Sequence, residues 1–80
     1  MPVIARLDGI IIKMYYRQKE HNPPHIHALD GEYMGVFSID DGNMMEGDLP
    51  IKHQQLVKEF VCENRDELLL MWKKQNFKVL

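Results

Sequence analysis

Two of the chain's four histidines, His25 and His27, stand two residues apart in the run His25-Ile26-His27-Ala28-Leu29. On a β-strand such residues point the same way with Cα atoms about 7 Å apart, so two imidazoles can converge on one ion or exchange a proton. His21, across Asn22-Pro23-Pro24, can supply a third nitrogen to a metal set of His21, His25 and His27. A zinc or iron site takes three or more protein ligands, and a carboxylate from Asp40, Asp41 or Asp48 would complete it, although nothing in the spacing brings these close. His53 is the remaining imidazole. The catalytic version of the site uses His25 or His27 as general acid or base beside a carboxylate or Tyr33, and it lacks an identifiable nucleophile or electrophile. Arg17 and Lys19 flank the proline loop and are the candidate nucleic-acid contacts, since cations projected from a sheet can reach phosphates. Together Tyr15, Arg17, Lys19, His21, His25 and His27 make the candidate functional surface. The plainer alternative is a strand histidine that packs its ring and hydrogen-bonds a carbonyl or the hydroxyl of Tyr15 or Tyr16.

The elements that must hold these groups follow from periodicity and turn chemistry. Val3 to Leu7 reads as a strand, and Asp8-Gly9 is a hairpin pair because glycine accepts positive φ. The second strand is expected from Ile10 to Tyr16 or Arg17. Ile10, Ile12, Met14 and Tyr16 form its core face, and Ile11, Lys13, Tyr15 and Arg17 form the other. Pro23-Pro24 enforces an extended, stiff approach to the histidine strand, since neither proline donates a backbone hydrogen bond and each restricts the residue before it. His25 and His27 then share one face, with Ile26 and Ala28 on the other. Asp30-Gly31 is read as the next hairpin turn, Tyr33 to Ile39 as a strand, Asp40-Asp41-Gly42-Asn43 as a turn and Met44 to Gly47 as a short extended piece. From Leu49 the period lengthens. Leu56, Val57, Phe60 and Val61 mark an apolar helical stripe, capped by Asp48 or its neighbourhood with Pro50 in the first turn. Asn64 and Glu67 have capping-box spacing, so a second helix is expected from Arg65 through about Gln75, with Leu68, Leu69, Met71 and Trp72 on its apolar side. Phe77 to Leu80 is expected to dock as a tail or a final short strand. The resulting fold class is α+β in a single domain, residues 1–80: an antiparallel meander of four to five strands over residues 3–47, packed on one face by two helices over residues 49–76.

Composition narrows the function. A formal charge of −2 opposes wide coating of nucleic acid, and every charged side chain from Asp30 to Asp48 is acidic, which confines any such contact to a small patch. The chain has one cysteine, Cys62, expected to be a buried free thiol in the first helix; one serine, Ser38; and no threonine. No basic leader followed by an apolar run and no long apolar stretch occurs, so a cytoplasmic location without a membrane is expected. At 80 residues the core is small, which favours a protein partner or a second copy covering leftover apolar surface.

The blocks Met1-Pro2-Val3-Ile4-Ala5, Asp8-Gly9-Ile10, His21-Asn22-Pro23-Pro24-His25-Ile26-His27-Ala28, Gly31-Glu32-Tyr33, Gly47-Asp48-Leu49-Pro50 and Glu67-Leu68-Leu69 with Trp72 resemble a family of small, mainly bacterial proteins, domain of unknown function DUF4160. Ile26 stands where an aromatic residue is common in that family. Members are often encoded beside a second small protein, and such pairs have been suggested to act as toxin and antitoxin. The resemblance therefore implies a protein partner, with DNA or RNA as a further candidate, and implies no cofactor or reaction. The preferred reading is a non-enzymatic interaction module in a small protein complex. The alternative is a small histidine- or metal-dependent enzyme such as a nuclease-like toxin.

Overall fold

A computed structural model describes residues 3–15 and 23–80. Five strands run in order along one antiparallel sheet: β1 (Val3–Leu7), β2 (Ile10–Lys13), β3 (His25–Asp30), β4 (Tyr33–Ser38) and β5 (Met44–Gly47). Two helices follow, α1 (Ile51–Glu63) and α2 (Arg65–Lys74), and pack with the sheet as the α+β reading requires. Strict alternation produces the core. Ile10, Ile12 and Met14, then Ile26 and Ala28, point inward and meet Phe37, Val57, Val61, Leu68, Met71 and Trp72 in one buried cluster. Bulges adjust this pattern at both edges. In β1 the register slips between Val3 and Ala5, so the extra residue Ile4 is buried together with Ala5; in β5 the extra residue is Met45, opposite Val36 and Phe37. No helix among the described residues is long and apolar enough to cross a membrane.

The first turn is as read: Asp8 and Gly9 both have positive φ, the type I′ arrangement that matches strand twist. Several local expectations need correction. β2 ends at Lys13, short of the expected end at Tyr16 or Arg17. Asp30 remains in β3, paired with Tyr33, so the turn is centred on Gly31-Glu32 with glycine first. Asp48 does not cap α1; its carboxylate accepts the Met34 amide at 3.0 Å, and Pro50 occupies the cap position with no side-chain hydrogen bond. The Asn64–Glu67 capping box does not form either, because the Asn64 amide nitrogen donates backward to the Phe60 carbonyl at 2.9 Å. Cys62 is exposed, not buried. It follows Val61 by one residue, and a 100° step carries it off the buried Val57/Val61 stripe. The last residues return to the sheet edge as a tail, where the Leu80 amide donates to the Ile4 carbonyl at 2.7 Å and Lys78 pairs with Glu67 at 3.0 Å.

Glycine is needed most at Gly47, which sits opposite Gly35 with φ of 121°. A Cβ there would lie 2.6 Å from the Gly35 Cα and would overlap the Met34 carbonyl. A Cβ on Gly35 would meet the Phe37 ring at 2.8 Å and the Met44 sulfur at 2.9 Å, so the paired glycines let β5 close onto β4 while Phe37 fills the core.

Candidate functional site

The site begins at the end of the proline loop. The Pro24 carbonyl accepts the Ile39 amide at 3.0 Å, which ties the approach to β3 onto the end of β4. One residue earlier, the Pro23 carbonyl lies 2.8 Å from His25 Nδ1. A carbonyl can only accept, so His25 donates from Nδ1, and in the neutral ring Nε2 is the nitrogen with the lone pair. Alternation puts His25 and His27 on the same side of β3, opposite the buried Ile26 and Ala28, and both imidazoles are half-buried.

Four rings form a continuous row. Tyr15 meets His27 edge-on at 4.4 Å between centroids, His27 meets His25 at 5.2 Å, and His25 lies 4.9 Å from Trp72 of α2. Such distances lie in the range of favourable aromatic pairs and hold each ring through its neighbours. Burial lowers the His27 pKa from its ordinary 6.5; the nearby His25 lowers it further, while Glu46 raises it. His27 is thereby biased toward the neutral imidazole.

Across the sheet the register aligns Lys13, His27, Val36 and Glu46 on this outer face, with Ile11, Leu29 and Met34 in the next row. Ile11, Leu29, Met34 and Val36 are each half-buried. A depression of about 350 Å³ opens beside them, lined by Pro23, His25, His27, Met34, Val36, Met45 and Glu46. The structure therefore joins His25, His27 and Tyr15 of the expected surface. Arg17, Lys19 and His21 lie outside the described residues. Asp41 and Asp48 have other partners: the Asp41 carboxylate accepts the Asn43 amide at 2.9 Å within its turn and the Asp48 carboxylate accepts the Met34 amide, while the Asp40 backbone amide donates to Ser38 Oγ at 3.2 Å. The carboxylate beside the histidines is Glu46, brought there by the β4–β5 register. Among the described residues no group of three or more His, Cys, Asp or Glu side chains is placed to hold a metal ion.

A second imidazole contact lies on the helix side. His53 Nδ1 meets the carboxylate of Asp30, at the end of β3, and both side chains are about three-quarters buried, 29% and 25% exposed. Sequence spacing hides this pair, since 23 residues separate its members and their meeting depends on how α1 docks over the β3–β4 turn. Met45 was equally hidden because a bulge turns it toward the depression, and Trp72 reads from sequence only as an apolar helix position.

No curated protein and no solved structure matches the chain. A family model, described as a domain of unknown function, matches residues 9–73 and thus spans β2 through most of α2, the histidine strand included. The chain belongs to the DUF4160 family.

Proposed function

We propose that this protein is a non-enzymatic interaction module that acts in a small complex with a protein partner, as a toxin–antitoxin-like pair or another regulatory pair does, and that its recognition surface is the outer face of the sheet. The observation that carries this reading is the face opposite the core: Ile11, Leu29, Met34 and Val36 form a half-buried apolar centre, rimmed by Lys13, Glu46 and the ring row of Tyr15, His27 and His25. An apolar centre with an aromatic and charged rim is the anatomy of a protein-recognition patch. Arrangement of the polar groups favours the module over the enzymatic alternative, because the one serine hydroxyl is engaged in a turn and the exposed thiol of Cys62 on α1 is met by the Arg65 guanidinium.

The test is affinity capture from the native cell with protein and nucleic-acid detection, comparing wild type with Val36→Lys and with Ile51→Lys. Ile51 is 73% exposed on α1 and serves as the control. One protein co-purifying with wild type and Ile51→Lys, and lost from a folded Val36→Lys variant, is the expected result. Equal capture by all three, or recovery of nucleic acid alone, contradicts the reading.

A further inference from the structure

We infer that, when its partner is absent, the outer face of the sheet closes on a second copy of this chain about a two-fold axis parallel to the strands, between β3 and β4. This inference rests on the reading of that face as a recognition surface and names what covers it in the free protein. Register places Lys13, His27, Val36 and Glu46 in one row across β2, β3, β4 and β5. Three strand spacings of about 4.8 Å set the two charged ends of that row about 14 Å apart at their Cα atoms, so Lys13 and Glu46 do not pair within one chain. Neither has an ion-pair partner among the described residues.

A contact between identical faces must be self-complementary, each residue meeting in the other copy the residue that meets it. Two sheets packed by the same face have their two-fold axis in the plane between them. An axis perpendicular to the strands would stack Lys13 on Lys13 and Glu46 on Glu46. An axis parallel to the strands reverses the row instead. Lys13 of each copy then lies over Glu46 of the other, and His27 lies over Val36. The neighbouring row follows the same operation, with Leu29 of each copy over Met34 of the other. Aligned sheets pack about 10 Å apart, a gap that an extended lysine and an extended glutamate bridge together. The apolar centre of Leu29, Met34 and Val36 is thereby covered between two pairs of opposite charges. Burial already biases His27 toward its neutral form, which suits a ring laid over a valine.

Sedimentation equilibrium of the pure, untagged protein at low ionic strength tests this, in reducing buffer so that the exposed Cys62 forms no disulfide. Wild type is expected to be a concentration-dependent dimer. Lys13→Glu and Glu46→Lys, each shown to be folded by circular dichroism, should each weaken dimerisation by about tenfold or more, because each brings like charges together at both ends of the row. An equimolar mixture of the two variants should recover the dimer: the new acid of one meets the new base of the other, and the native pair forms at the opposite end. Protein that stays monomeric at every concentration, a dimer that neither substitution weakens, or a mixture that stays monomeric overturns the inference. Capture from cells reads the other claim separately. Monomeric pure protein with Val36-dependent capture would leave the protein partner standing, and a charge-dependent dimer without such capture would contradict that partner alone.

Discussion

His27 shows how far a single position reflects its surroundings. Burial first, and the neighbouring His25 second, lower its pKa below 6.5 against the opposing influence of Glu46. The unfolded chain therefore binds the His27 proton more readily than the folded one. Stability linked to this group is complete above about pH 6.5 and declines as the pH falls from there through the lower folded value. Urea unfolding at pH 7.5 and 5.5 should show a loss on acidification that shrinks in His27→Gln, with imidazole NMR placing the His27 midpoint below 6.5. An equal loss in the variant would assign the acid sensitivity elsewhere. Gly47 gives a second prediction at this scale. Its φ of 121° and the backbone of Met34 and Gly35 leave no room for a methyl group, so Gly47→Ala should destabilise the fold by about 2 kcal/mol or more, read as a lower urea midpoint. What the sequence discloses here is orientation. Period two places His25 and His27 together and Ile26 opposite, whereas the partners of those rings, Trp72 and Met45, depend on helix docking and on a bulge.

The elements are joined by contacts that local patterns do not reveal. Asp30 closes β3 and His53 lies in the first turn of α1, so their hydrogen bond clamps the helix onto the β3–β4 hairpin. A double-mutant cycle of Asp30→Ala and His53→Ala should give a coupling of about 1 kcal/mol, in the range of a partly buried charge-assisted bond. Additive single effects would mean that the contact contributes nothing beyond its separate side chains. Strands, turns and the two helices were legible because alternation and a three-to-four spacing survive any packing arrangement. Caps were not. Asp48 and Asn64 have the residue types of caps, but Asp48 reaches the Met34 amide across the sheet edge and Asn64 turns back to Phe60. Cys62 failed for a related reason: one residue beyond Val61, a helix has already turned its side chain from the core toward water.

For the whole molecule, the division of labour between the two sheet faces is decisive. One face carries the continuous core of Ile10, Ile12, Ile26 and Phe37 against α1 and α2; the other carries Ile11, Leu29, Met34 and Val36, half-buried beside the histidines. In the proposed complex this outer-face centre is the surface that the partner covers. The sequence disclosed both faces through the parity of β2 and β3, but the contributions of β4 and β5 required their register. The most direct test places a photo-crosslinking amino acid at Val36 and, separately, at Ile51, followed by irradiation in the native cell and mass spectrometry. A discrete protein adduct from position 36 and none from position 51 is the predicted result; no adduct at 36, or the same adduct from both positions, contradicts the assignment of the outer sheet face as the recognition surface.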